Sequence, residues 1–163
     1  MAAIKNILVA TDFSEPSRVA MAYGRDLARS YNARLHVMHV VDDIMMRYSP
    51  DAGFMLPSMQ EDLEKAARAD LEKEISDEDR RQLSAMAVTR TGTSVADAIC
   101  EYARSNAIDL IVTGTHGRGA VKHFLMGSVA ERVVRVAPCP VLTVHARERD
   151  FIVPDALAVK ASA

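Results

Sequence analysis

The sequence predicts an α/β fold: a single open five-stranded parallel sheet, order 3-2-1-4-5, with helices on both faces. Three observations predict it. Short β-branched apolar runs recur along the chain, as in strands buried on both faces. Amphipathic stretches separate these runs, so consecutive strands pair in parallel through right-handed crossovers. The loop "GTHGRGAVKHFLMGS" (114–128) holds four of the seven glycines, beyond a strand end where open α/β sheets bind ligands.

Each element has its own signal. "IKNILVA" (4–10) reads as the first strand. In the helix that follows, Val19, Tyr23, Leu27 and Tyr31 recur every four residues and define an apolar face. Ser14 is its expected N-cap, and Pro16 is tolerated in its first turn. "ARLHVMHVV" (33–41) is the second strand, and residues 42–57 read as a long surface loop. The methionines at 45, 46, 55 and 59 are expected to fill gaps against the sheet. A charged helix spans about 58–75, and "SDEDRRQLS" either extends it or begins a second short helix. The mixed-charge run 61–81 is expected to be a solvated face. "AMAVTRTG" (85–92) is the third strand, and "TSVADAICEYARSNA" caps and forms a helix. "IDLIVTG" (108–114), "SVAERVVRVA" and "PVLTVHA" (140–146) complete the series as strand, helix and strand. Residues 1–146 form the expected domain, and 147–163 a tail without a clear period.

Composition narrows the function. The 163 residues are 49% hydrophobic and 26% charged, and no apolar run approaches the roughly 20 residues of a membrane span. "MAAIKNILVATDFS" lacks the apolar core and cleavage site of a signal peptide, so a cytoplasmic location without membrane insertion is expected. Net charge is −2 with basic and acidic residues interspersed, which argues against a nucleic-acid partner. Cys100 and Cys139 show no metal or redox spacing. His36 and His39 alternate with Val37 and Val40, which favours a hydrogen-bonded core or rim role over metal binding.

The strand order reverses between strands 1 and 4, so "TDFS" and the glycine loop share one crevice, with Asp12 beside Gly114 and Gly117. Gly127-Ser128-Val129 opens a helix whose unpaired N–H groups and partial positive charge suit phosphate oxygens. Glycine at 127 removes the Cβ that would block close approach, and Ser128 adds a hydroxyl donor. Arg118, Lys122 and His123 supply further donors. Neither the P-loop spacing nor the dinucleotide fingerprint after the first strand is present.

Gly114-x2-Gly117-x9-Gly127-Ser128 is similar to the G-2x-G-9x-G-[S/T] signature of the universal stress protein family. "ATDFSEPS", "HVMHVVD", "TGTS", "GTHGRG" and "PCPVLTVH" resemble the family too, so the likeness covers residues 4–145. It implies an adenine nucleotide α-hydrolase-like fold and membership of the glycine-bearing branch that binds ATP, with ADP or AMP as alternative ligands and Mg²⁺ as the accompanying ion. By the same resemblance, Ala10, Thr11 and Asp12 hold the ribose or adenine side, and Val40 meets adenine through its backbone. Thr113, Gly114, His116, Gly117 and Arg118 line the ribose and phosphates, while Gly127, Ser128 and Val129 hold the phosphates. Ala10 stands where some ATP-binding relatives carry proline.

Two function classes follow: a nucleotide-dependent sensor or regulator with slow or no hydrolysis, or an ATPase or nucleotidyl transferase. Fast phosphoryl transfer needs a placed metal and a base or positioned water. No second acidic group is evident near the phosphates, and the Ser-Gly-Gly-x-[DE]-Ser loop of adenylating relatives is absent, which favours the sensor. The fifth strand, apolar at Val141, Leu142 and Val144, is expected at a sheet edge and pairs with its own copy in a homodimer. The alternative is that Phe151, Ile152 and Val153 of the tail fold back over it. A further protein partner is implied but not specified.

Overall fold

The computed structural model describes residues 3–47, 56–115 and 127–145. The elements run β1 (Asn6–Ala10), α1 (Glu15–Tyr31), β2 (Arg34–Asp42), α2 (Ile44–Arg47), α3 (Leu56–Glu74), α4 (Asp77–Leu83), β3 (Met86–Gly92), α5 (Val95–Ser105), β4 (Leu110–Gly114), α6 (Ser128–Val136) and β5 (Val141–Val144). The five strands pair in parallel in the order β3-β2-β1-β4-β5, as the alternation of strand and helix predicts. Met55 and the tail 147–163 lie outside the described residues.

β1 sits at the centre, and its apolar run is continuous because both faces are covered. Ile7 and Val9 join a core cluster with α1, α3 and α4, while Leu8 and Ala10 join the opposite cluster with α5 and α6.

The apolar face of α1 differs from the expected one. Its buried residues are Ser17, Ala20, Met21, Gly24 and Ala28, while Val19, Tyr23 and Leu27 pack at the flanks and Tyr31 is exposed. The reason is distance: the helix lies so close to β1 that a Cβ at Gly24 would overlap Val9 Cγ2. Ser17, Ala20, Gly24 and Ala28 are small, Met21 is buried with them, and Val19, Tyr23 and Leu27 splay to the flanks. Gly24→Ala is therefore expected to destabilise the fold by about 1–3 kcal/mol through overpacking, although alanine is the better helix former by about 1 kcal/mol. Chemical denaturation measures this, and a variant as stable as the parent would refute the close-approach account.

"SDEDRRQL" forms the separate helix α4. Ser76 Oγ accepts from the Asp79 N–H at 3.1 Å and the Ser76 N–H donates to Asp79 Oδ2 at 3.0 Å, a reciprocal capping box. Asp79 departs from the expected solvated face, being only 2% exposed. Arg25 of α1 donates its Nε–H to Asp79 Oδ2 at 3.0 Å and also bonds the Glu74 carbonyl, pinning α1 to the α3–α4 junction. The methionines depart as well: Met45, Met46 and Met59 are 47%, 76% and 50% exposed rather than filling gaps. They sit on α2 and the first turns of α3, which contact one another, so part of their surface has no sheet to meet.

Candidate functional site

At the carboxyl ends of β1 and β4 the strand order reverses, and the expected site residues that are described lie at this end of the sheet. Ala10 is registered beside Thr113 on one side and Met38 on the other. Ala10 and Val40 belong to the core cluster on the α5–α6 face. Alternation along β4 from Ile111 puts Thr113 on that face too. Ala10 and Thr113 are small, so the sheet offers a low floor between two strand ends.

The first turn of α6 stands against the same end of the sheet. Thr115 N–H donates to the Val144 carbonyl at 2.9 Å, and Gly127 N–H donates to the Thr115 carbonyl at 2.6 Å. These bonds pin the start of α6 to the end of β4. Gly127 is the N-cap at φ −72°, ψ 153°, and no side chain caps the turn among the described residues. Glu131 N–H donates to the Gly127 carbonyl at 2.9 Å, so helical bonding starts there and the N–H groups before it are oriented along the axis. Ser128 and Val129 are exposed. Arg132 locks α6 onto α5 through a bidentate pair with Asp97, 3.0 Å at both oxygens. The Arg132 hydrogen bond, with that from Ser94, holds the Asp97 carboxyl below its ordinary value.

The β1–α1 turn is heavily tied. Thr11 N–H continues the ladder to the Met38 carbonyl at 2.9 Å. Thr11 Oγ1 is buried, bonded to Ser17 Oγ at 3.1 Å and to the Phe13 N–H at 3.1 Å. Phe13 adopts a left-handed conformation at φ 65°, which costs about 1–2 kcal/mol for a residue with a Cβ. Its ring lies 4.5 Å from that of His39, whose Nδ1 lies 2.8 Å from the Thr11 carbonyl oxygen. Half-buried Asp12 accepts at Oδ1 from the Ser14 N–H at 3.1 Å and from the Ser14 hydroxyl. Ser14 is thus the N-cap of α1 by backbone geometry, while its hydroxyl serves Asp12 instead of the helix.

Among the expected site residues, Ala10, Thr11, Asp12, Val40, Thr113, Gly114, Gly127, Ser128 and Val129 come to this end of the sheet. Thr11 turns its hydroxyl toward α1. Gly114 has a packing reason of its own, because a Cβ there would stand 3.0 Å from the Pro16 carbonyl carbon. His116, Gly117 and Arg118, with Lys122 and His123, lie outside the described residues.

Several residues at this end carry no sequence signal beyond the hydrogen-bonded role expected of His39. Ser17, Phe13 and His39 set the Asp12 turn, and Gln60 of α3 accepts from the Ile44 N–H at 3.0 Å near the end of β2. Thr91 and Gln60 both donate to Glu64, and those bonds hold its carboxyl below the ordinary range. His36 takes the core role: its Nδ1 lies 2.8 Å from the Tyr102 hydroxyl, and its buried Nε2 has no partner among the described residues. Burial, then the Arg34 charge, push His36 below its ordinary value, which keeps the ring neutral. No cluster of three or more His, Cys, Asp or Glu suited to a metal occurs among the described residues, and no described helix is long and apolar enough to cross a membrane.

A five-stranded parallel sheet in the order β3-β2-β1-β4-β5, with helices on both faces, defines a doubly wound α/β protein. The Universal stress protein family model matches residues 3–145, and the chain belongs to that family. It is 31% identical to the Universal stress protein MJ0531 of Methanocaldococcus jannaschii over 155 residues, covering 90% of this chain and 85% of that one. The fold is similar to that of the universal stress protein UspA from Lactobacillus plantarum, with TM-score 0.77, 25% identity, and 88% and 99% of the two chains covered. A universal stress protein in complex with cAMP is similar at TM-score 0.62 and 25% identity, with 89% and 99% covered.

Proposed function

We propose that the chain binds an adenine nucleotide, ATP foremost, in the crevice between β1 and β4. It acts as a nucleotide-dependent sensor or regulator in the stress response, with slow or no ATP hydrolysis. The observation that carries this reading is the start of α6: its N-cap is a glycine, its first turn lacks a side-chain cap among the described residues, and it is pinned to the strand end beside Asp12. Such a helix start stabilises phosphate oxygens through oriented N–H groups and a partial positive charge. The cAMP complex of a family relative supports the nucleotide class.

Gly127, Ser128 and Val129 hold the phosphates, with Gly117 and Arg118. Thr113, Gly114 and His116 line the ribose and phosphates with them, Ala10 and Thr11 stand beside Asp12 on the ribose or adenine side, and the Val40 backbone meets the base. Asp12 orients the nucleoside. Its Oδ1 already accepts from the Ser14 N–H and hydroxyl, which holds the carboxylate in one orientation. Mg²⁺ accompanies the phosphates and offsets their charge.

Denaturing the purified protein and identifying the released nucleotide tests the reading, together with calorimetric titration of ATP, ADP and AMP. ATP is expected to bind in the micromolar to millimolar range. A preparation that releases no nucleotide and gives no heat with millimolar ATP refutes it. A steady ATPase of about one per second or faster that vanishes in Asp12→Asn would put the enzyme in place of the sensor.

The proposed assembly is a two-fold homodimer through β5. Among the described residues this strand pairs only with β4 in the sheet, and Val134 on the neighbouring α6 is 49% exposed. Val144 is fully buried in the core, so a charge there would break the fold and not the edge. The edge-facing groups follow from the ladder. Ile111 donates to the Pro140 carbonyl and Thr115 to that of Val144, so the main-chain groups of Val141 and Thr143 point outward. Thr143→Pro removes an outward N–H and leaves the β4 pairing intact. Light scattering is expected to give twice the 17.8 kDa chain mass for the parent and a monomer for Thr143→Pro. A parent that stays monomeric at high concentration overturns the dimer.

A further inference from the structure

We propose that His39 is a positioning residue for the nucleotide site: its ring N–H holds the Thr11 carbonyl, and so sets Asp12 and Val40 relative to each other. The inference rests on the nucleotide reading above. Thr11 O can only accept, so the 2.8 Å contact requires the proton on His39 Nδ1. Ala10 and Met38 are the last residues paired between β1 and β2, the Thr11 N–H adds a bond to the Met38 carbonyl, and the His39 side chain then takes the Thr11 carbonyl. Thr11 immediately precedes Asp12, and His39 immediately precedes Val40. One side chain therefore ties the carboxylate turn to the strand end assigned to the base.

The ring does a second job. Phe13 adopts φ 65°, and its ring packs on the imidazole at 4.5 Å with a 34° tilt. The left-handed residue is thus held from both ends, by its N–H on Thr11 Oγ1 at 3.1 Å and by its ring on His39. Asp12 lies between the two held residues, and its Oδ1 bonds with Ser14 complete the turn. Before any nucleotide arrives the carboxylate is already oriented, so less ordering is needed on binding.

Two substitutions separate the donor from the ring. Asparagine places an amide N–H near the position of Nδ1 and removes the aromatic contact, whereas phenylalanine keeps a ring and removes the donor. His39→Phe is expected to lose about tenfold in ATP affinity, the scale of one lost hydrogen bond. Its Ser14 amide proton should exchange faster in the nucleotide-free protein. His39→Asn is expected to stay within about threefold of the parent. A His39→Phe variant with parental affinity and parental exchange at Ser14 overturns the proposal, as does an equal loss in both variants. Nitrogen NMR of the parent provides a test without mutation: the Nδ1–H tautomer is expected, and an Nε2–H tautomer refutes the bond. Should the parent bind no ATP while His39→Phe still loosens the Ser14 amide, the nucleotide reading fails and the ordering of the turn by His39 stands.

Discussion

Gly127→Val should abolish ATP binding and leave the fold in place. At φ −72° and ψ 153° the backbone of residue 127 is in the extended region open to any L-residue, so valine brings no strain there. Its N–H still reaches the Thr115 carbonyl, and the helical bond from Glu131 to its own carbonyl is untouched. Valine is a poorer N-cap than glycine, at a cost of about 1 kcal/mol or less, small beside a typical stability of about 5–15 kcal/mol. The branched side chain, by contrast, stands where the phosphate must come closest to the first turn of α6. Calorimetry should show a drop in affinity of about a hundredfold or more, with the circular dichroism spectrum unchanged. A folded variant with parental ATP affinity would remove the phosphate cradle from this place.

The largest expected loss of stability is at Asp79. Asp79→Ala removes the acceptor of the Ser76 N–H and of Arg25 in one step, and Arg25 keeps only a quarter of its side-chain surface in water. Losing a cap costs about 1 kcal/mol. Breaking a buried pair costs about 3–5 kcal/mol, less here because water reaches Arg25. About 2–4 kcal/mol at neutral pH is the expected sum. Burial pushes the Asp79 carboxyl up, but the two Ser76 hydrogen bonds and the Arg25 charge outweigh it, so the group titrates below its ordinary 3.8. The folded state thus favours the carboxylate. Its contribution is fully present above pH 3.8 and is lost as the pH falls from there through the folded value. Parent and variant should therefore converge in strong acid. Urea titrations across pH measure this, and equal stability at pH 7 would refute the role.

How much was legible follows from where each signal resides. Strand apolarity, helix caps and the alternation of elements are local patterns, and they specified all five strands and their order. The placement of residues at the reversal was legible for the same reason: Asp12 follows a strand run, and Gly127-Ser128 opens a helical one. The helix contact was not legible. The spacing of Val19, Tyr23 and Leu27 pointed to one face, but the proximity of α1 to Val9 moved the buried stripe to Ser17, Ala20 and Gly24. Gly114 looked like a site glycine, and only the fold shows that Pro16 occupies the space beside it.

By itself the sequence determined the class of fold and the family, because each is written in residues close together in the chain or in strand order. Tertiary structure alone decided that Asp79 is buried beneath Arg25, and that His39 reaches back to Thr11. It also decided that Phe13 turns left-handed under the His39 ring. Each joins partners on different elements or an unfavourable backbone state, and no local propensity encodes either one. Only the packed sheet, by fixing the distances between those elements, makes such contacts favourable.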